Sequence, residues 1–94
     1  MAMTHKAMLA QVLAAQDASD VGLQDLIDAG AWRFEGSIGR SMMAAIEAGF
    51  CVLGPEHAYD YWGNRIPSRH EVQSGTKGSV LYAWNALQQR EDWS

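Results

Sequence analysis

Apolar residues recur every three or four positions in two segments of the N-terminal half of the chain, and this spacing predicts two helices. Thr4 is placed to cap the first, which extends to Gln16. Asp17 or Ser19 caps the second, and Gly30 stands where this helix is expected to end. The apolar stripes are Met8, Leu9, Val12 and Leu13 in the first helix and Val21, Leu23, Leu26 and Ile27 in the second.

The same helical spacing returns twice in the remainder of the chain. A third helix begins at residues 36–37 and ends at Gly49, and a fourth begins after a Ser79 cap and extends to about Arg90. Their apolar stripes are Ile38, Met42, Ala45 and Ile46 in the third and Val80, Ala83, Trp84 and Leu87 in the fourth. We therefore predict a mainly α domain of about four helices.

Two short segments between the helices have the composition of extended chain. Residues 31–35 alternate apolar and charged residues, which indicates either a short strand or an extended connector. Residues 50–53 are β-prone and apolar and are expected to be buried. Cys51 lies within them, so we interpret this single cysteine as a small buried apolar residue and not as a nucleophile. Trp93, beyond the fourth helix, either folds back onto the domain or stays exposed.

Residues 54–79 interrupt the helical pattern and contain both prolines of the chain. Gly63-Asn64 is a turn signal, so residues 57–62 and 65–69 are candidates for a short β-hairpin. A segment of this length without helix is long for a small domain. Its aromatic side chains favour an ordered loop, because disordered segments lack them. We predict a long ordered central loop over residues 54–79, either with or without a hairpin.

Length and charge narrow the classes of function. The 94 residues suffice for a single small globular domain, residues 1–94. The formal net charge of −4 argues against general binding to nucleic acids, for which a basic surface is typical. The apolar runs are far shorter than the ~20 residues that span a bilayer, and the N-terminal residues lack a signal-peptide pattern. We therefore expect a cytoplasmic protein that is not membrane-bound and needs no cofactor, either a monomer or a homodimer.

An aromatic and arginine-rich run within the central loop is the leading candidate for a binding surface. Tyr, Trp and Arg dominate binding energies where they are exposed at protein interfaces. In a domain this small, the adjacent aromatic residues are almost equally suited to fill the core. The residues predicted to contact a protein partner are Tyr59, Tyr61, Trp62, Arg65 and Arg69.

An acidic helix face is a lesser candidate for a docking surface. Four aspartates of the second helix share one side of it, opposite the leucines. Such a face is usually solvated, and the alternative is that it docks on a basic partner. These residues are Asp17, Asp20, Asp25 and Asp28.

The glycine-rich segment before the fourth helix is a candidate anion site. Thr76, Lys77, Gly78 and Ser79 combine flexible backbone, one positive charge and the N-terminus of a helix. The spacing of a nucleotide-binding phosphate loop is absent. An ordinary turn with a serine cap explains the same residues, and we favour it.

A catalytic or metal site is the remaining chemical hypothesis for the central loop. His57, Asp60, His70 and Glu71 are suitable proton carriers or metal ligands, and Lys77 would attract an anionic substrate. Their spacing matches no metal-binding motif, and adjacent residues diverge in an extended chain. Histidines on the surface explain them more simply, so we assign no catalytic and no metal-binding residue.

The C-terminal half resembles short bacteriophage and prophage proteins of unassigned function. The resemblance rests on LGPEH at 53–57, DYWGNRIPS at 60–68 and GTKGS at 75–79. It implies a small accessory protein that binds and inhibits or redirects a host protein in the host cytoplasm. We accordingly expect a non-catalytic protein-interaction module. The alternative is a small enzyme or a domain that binds an anion or a nucleotide through His57, Asp60, His70 and Lys77.

Overall fold

The computed structural model describes residues 3–34 and 36–92 of the chain. Within these residues it has four α-helices and one antiparallel hairpin, and 54% of the chain is helical, which confirms the mainly α fold class. No helix in the described part is long and apolar enough to cross a membrane. Trp93 lies outside the described residues. The elements are α1 (His5–Ala14), α2 (Ala18–Asp28), α3 (Gly36–Glu47), β1 (Ala58–Tyr59), β2 (Arg65–Ile66) and α4 (Val80–Asp92).

Side-chain caps define the starts of the helices as the sequence predicts. The Thr4 hydroxyl accepts a hydrogen bond from the backbone N–H of Ala7 (3.1 Å), and α1 begins there. The Asp17 carboxylate accepts one from the N–H of Asp20 (2.8 Å) at the start of α2. Because these N–H groups have no partner inside the helix, a cap is typically worth ~1 kcal/mol.

The prediction of a strand or extended connector at residues 31–35 is wrong for its first three residues. Ala31–Arg33 forms a single 3₁₀ turn that follows Gly30, and Phe34 after it is extended. An extended chain would place Ala31 and Trp32 on opposite sides, whereas both are buried here. The tight turn therefore serves to bring Trp32 onto the core beside α2 and α3.

Residues 51–53, which we call the core run, join two hydrophobic clusters. Cys51 and Leu53 pack in the larger cluster with residues of α2 and α3, including Ile27 and Met42. Val52 packs in the smaller cluster with residues of α1 and α4. Because successive side chains of an extended chain point to opposite sides, three residues suffice to connect both clusters.

The prediction that residues 50–53 are buried is confirmed for the core run and wrong for Phe50, which is 38% exposed. The central residue of the core run pairs with a side chain. The N–H of Val52 donates to Oε1 of Gln24, and Nε2 of Gln24 donates to the carbonyl of Val52, both at 2.9 Å. The amide group of Gln24, which is only 3% exposed, thus replaces a neighbouring strand.

The single cysteine is inert, in agreement with its predicted structural role. Cys51 is fully buried. Burial raises the pKa of its thiol to about 11, and the nearby carboxylates of Asp20 and Asp28 contribute to the rise. The thiol is therefore protonated at neutral pH, so it lacks the thiolate that a nucleophile needs.

Candidate functional site

The hairpin within the central loop is confirmed, with a longer connection than a two-residue turn. Ala58 pairs with Ile66, and Tyr59 pairs with Arg65. Residues 60–64, which we call the aromatic loop, join the two strands. The hairpin packs beside the 3₁₀ turn that contains Trp32, since β1 contacts residues 31–33.

One carboxylate organises the aromatic loop. Oδ1 of Asp60 accepts hydrogen bonds from the backbone N–H groups of Trp62 (2.9 Å) and Asn64 (2.8 Å). Its Oδ2 accepts from the side-chain amide of Asn64 at 3.2 Å. The backbone of Asp60 also accepts from Gly63 and donates to Asn64. These bonds give the loop one defined shape, which holds its aromatic residues in place.

The aromatic loop turns its two largest side chains outward. Tyr61 is 72% exposed and Trp62 is 76% exposed. Their rings meet edge to face, with centroids 5.5 Å apart. Neither ring fills the core, so the interpretation of Tyr61 and Trp62 as a core plug is wrong. Exposed aromatic pairs of this kind are enriched at protein interfaces.

A cavity of about 210 Å³ lies between the aromatic loop and the N-terminal half of α3. We call it the aromatic groove. Tyr61 and Trp62 form one wall, and Phe34, which is 63% exposed, contributes from the turn before α3. The remaining lining residues include Trp32, Gly39, Arg40 and Met43. A second depression continues from it past Arg33.

Half of the aromatic groove lies outside the central loop, and the sequence does not predict that half. This half consists of residues that the sequence pattern assigns only to a connector and to α3, namely Phe34, Met43, Arg33 and Arg40. Two residues of the sequence hint at this half of the surface. Met43 is an apolar residue beside the apolar stripe of α3, and Phe34 is an apolar residue that belongs to no helical stripe. Neither indicates a shared surface until the hairpin is placed against α3.

The two predicted contact arginines have different surroundings. Arg65 is half-exposed and forms an ion pair with Glu71. The Arg69 side chain is only 11% exposed, and its Nη1 donates to the carbonyl of Leu53 (3.3 Å) and lies 3.6 Å from the Asp28 carboxylate. Arg69 therefore does not belong to the exposed surface, because it fastens the central loop to the core run and α2.

Glu71 connects the second strand of the hairpin to the turn that follows it. Its carboxylate accepts from the backbone N–H of Ser68 (2.8 Å) and from the Arg65 guanidinium. The hydrogen bond from Ser68, followed by the one from Arg65, lowers the pKa of Glu71 to about 2. Glu71 is thus ionised at neutral pH and holds β2 to the following turn.

The glycine-rich segment before α4 uses several of its hydrogen-bonding groups internally. The Ser79 hydroxyl accepts from the N–H groups of Gly75 (3.0 Å) and Tyr82 (3.1 Å), as a helix cap does. The N–H of Thr76 donates to Gln73, and the N–H of Ser79 donates to Thr76. These bonds favour the interpretation as a serine-capped turn. An anion site at Thr76, Lys77, Gly78 and Ser79 stays a prediction.

The residues of the enzyme hypothesis are not gathered in one site. The Asp60 carboxylate binds the backbone of the aromatic loop, and the His57 ring packs edge-on against Tyr59. His70 lies 6.1 Å from His5, ring centroid to centroid, at a different cavity that Arg69 also lines. Among residues 3–34 and 36–92, no group of three or more His, Cys, Asp or Glu side chains is placed to hold a metal ion.

The aspartates on the acidic face of α2 differ in their contacts within the fold. Asp17 caps the helix, and the Asp28 carboxylate accepts from Gln24 (2.9 Å) beside Arg69. Burial, reinforced by Asp17, raises the pKa of Asp20. The carboxylates of Asp17 and Asp28 are therefore engaged in the fold, whereas Asp25 is exposed.

Comparison with known proteins adds no further lead. No family model, no curated protein and no solved structure matches the chain.

Proposed function

We propose that the protein is a non-catalytic interaction module that binds another protein through the aromatic groove and its rim. The observation that carries this proposal is the exposure of three large aromatic side chains, Phe34, Tyr61 and Trp62, around one cavity. Most large apolar residues of a small domain are needed in its core. Leaving three of them at one place in solvent is typical of an interaction surface.

The rigidity of the aromatic loop supports the same function. A partner that binds a preformed surface does not have to order it, which saves the cost of immobilising each side chain and loop residue. The three hydrogen bonds to the Asp60 carboxylate all come from residues of the loop itself. The loop is therefore suited to recognition, where a defined shape is an advantage.

The resemblance to small phage and prophage proteins extends the proposal. On that basis the chain is an accessory protein that binds a host protein in the host cytoplasm and inhibits or redirects it. A surface of a few exposed aromatic residues matches this role, because a handful of residues supplies most of the energy of a protein interface.

The test is affinity capture with the tagged protein, followed by binding measurements with each purified captured protein. Three forms are compared: the wild type, the Tyr61→Ala/Trp62→Ala double variant, and a Val21→Ala/Leu26→Ala control. The control residues are exposed apolar residues of α2, far along the chain from the hairpin. Because all four residues are exposed, each variant should unfold within about 0.5 kcal/mol per substitution of the wild type.

We expect at least one captured protein to bind the wild type and the control and to bind the Tyr61/Trp62 variant about 30-fold more weakly, the loss of one hot-spot contact. Identical capture by all three forms would show that the aromatic groove is not the interaction surface. If only the Val21→Ala/Leu26→Ala control fails to capture the protein, the interaction surface lies on α2 instead.

A further inference from the structure

We infer that the aromatic groove receives a single apolar side chain of the partner, flanked by acidic residues of the same segment. This inference rests on the proposed function and specifies the chemistry of the partner. It follows from the size of the groove, from a glycine that keeps it open and from the charges at its rim.

The size of the groove suits one side chain. Sites for small-molecule ligands and cofactors typically enclose ~300–1,000 Å³. The groove measures about 210 Å³, below this range, and it opens into the depression of about 480 Å³ that passes Arg33. The groove has room for one large apolar side chain, and the open depression beside it has room for the residues that flank that side chain, so a segment of a protein partner matches this surface better than an enclosed cofactor does.

A glycine in the first turns of α3 keeps the groove open. Gly39 lines the groove, and a Cβ atom built on it would meet nothing within 4 Å. Glycine inside a helix is unfavourable by roughly 1 kcal/mol relative to alanine, and Gly22 in α2 carries the same cost, so what distinguishes Gly39 is its position on the wall of the groove. The space that this glycine leaves is the space that we assign to the partner's side chain.

The rim of the groove selects for negative charge beside that side chain. Arg33 and Arg40 are both exposed, and Arg40 lines both the groove and the depression that continues from it. Asp60 is the one acidic residue that lines the groove among the described residues, and its carboxylate already accepts three hydrogen bonds from the aromatic loop. A partner with carboxylates next to its apolar anchor therefore complements this surface, since arginine binds carboxylates in a two-pronged arrangement.

The experiment selects short random peptides displayed on a carrier against three forms of the immobilised full chain. They are the wild type, Gly39→Leu, and Gly22→Leu as a matched control. Gly22 also lies inside a helix, and a Cβ atom there would likewise meet nothing within 4 Å, but it lines none of the described cavities around the hairpin. Circular dichroism and thermal unfolding verify that all three forms are folded.

We expect the wild type and Gly22→Leu to enrich peptides that carry an aromatic or large aliphatic residue next to Asp or Glu. Gly39→Leu should bind these peptides about tenfold or more weakly, because the leucine occupies the groove. In the wild-type background, Arg33→Glu/Arg40→Glu should shift the selection from acidic to basic neighbours. If Gly39→Leu does not fold, Gly39→Ala, which adds one methyl group, replaces it and should weaken binding in the same direction.

Three results would overturn the inference. One is the absence of any enriched peptide, another is enrichment that Gly39→Leu leaves unchanged, and the third is enrichment without acidic neighbours. Binding to phosphatidylglycerol vesicles that depends on Trp62 would instead assign the surface to a membrane. The proposed function is judged separately, because captured proteins that depend on Tyr61 and Trp62 would support it even where the peptide selection fails.

Discussion

The core run and the aromatic loop are two short irregular segments that treat their apolar residues in opposite ways. Each is tied down by one polar side chain, Gln24 for the core run and Asp60 for the aromatic loop. Cys51 and Val52 are fully buried, whereas Trp62 is 76% exposed, although tryptophan is the larger apolar side chain. Hydrophobicity alone therefore does not decide which segment enters the core.

The difference lies in what surrounds the tied backbone. The Gln24 amide is itself buried between helices, so the segment that it binds is drawn into the interior. Asp60 binds only its own loop, so it shapes that loop without connecting it to the core. A polar side chain from another element anchors a segment to the fold, and one from the same segment only preorganises it.

The largest loss of stability is expected for a substitution that frees the core run from Gln24. Gln24→Leu keeps the side chain at a similar size but leaves the buried N–H and carbonyl of Val52 without partners. Each unsatisfied buried group costs ~1–3 kcal/mol, so we expect a loss of about 4 kcal/mol in the free energy of unfolding. Urea denaturation measures it. Gln11→Leu, at an exposed position of α1, should change stability by no more than about 0.5 kcal/mol.

A smaller loss than 1 kcal/mol in Gln24→Leu would contradict the view that this side chain replaces a strand. The core run would then be held by apolar packing alone, and the comparison with the aromatic loop would lose its basis.

The second effect tests how tightly the core run is enclosed. Gly78, whose φ is +92°, accepts a hydrogen bond from the N–H of Leu53 (3.0 Å), and an added Cβ would lie 2.6 Å from the Leu53 side chain. Gly75 has a similar φ of +90° and open space around it. We expect Gly75→Ala to cost about 1 kcal/mol through backbone strain, and Gly78→Ala about 3 kcal/mol through strain and overpacking together. Equal losses in thermal unfolding would show that the core run yields to the extra methyl group.

The third effect is at the surface. Asp60→Ala removes three hydrogen bonds from an exposed loop, where water replaces them, so we expect a stability loss of only about 1 kcal/mol. Hydrogen exchange at the N–H groups of Trp62 and Asn64 should accelerate, and the captured partner should bind less tightly. Asp25→Ala, on the exposed side of α2, serves as the control and should leave exchange in the loop unchanged. Unchanged exchange in Asp60→Ala would show that the loop keeps its shape without this carboxylate.

The smallest expected effect is the loss of stability at low pH when Glu71 becomes protonated. The pKa of Glu71 is lowered from 4.5 to about 2, so its ionised form stabilises the fold fully above pH 4.5, and that contribution is lost as the pH falls from 4.5 towards 2. The urea midpoint of the wild type should therefore fall over this range relative to that of Glu71→Gln, which cannot titrate. Parallel curves for the two proteins would show that the contacts of Glu71 with Ser68 and Arg65 do not stabilise the fold.

The candidate site was predictable in part from the sequence. Of the predicted contact residues, Tyr61 and Trp62 line the aromatic groove, whereas Tyr59 and the half-exposed Arg65 are exposed without lining it. Arg69 was placed on the same surface because it lies near them in the chain, but its side chain is turned towards Asp28 and Leu53. Phe34 and Arg40 were overlooked because they reach the site only through the packing of α3 beside the hairpin.

Local chemistry is enough to predict the four helices, the caps at Thr4, Asp17 and Ser79 and the position of the hairpin, because spacing, capping and turn chemistry act between residues near in the chain. The β-prone apolar run around Cys51 also indicates that this residue is buried, although Phe50 of the same run is 38% exposed. Tertiary contacts, in contrast, decide that Gln24 binds Val52, that Ala31–Arg33 turns instead of extending, and that the aromatic loop and Gly39 line one groove. These depend on contacts between distant residues, for which local patterns carry no signal.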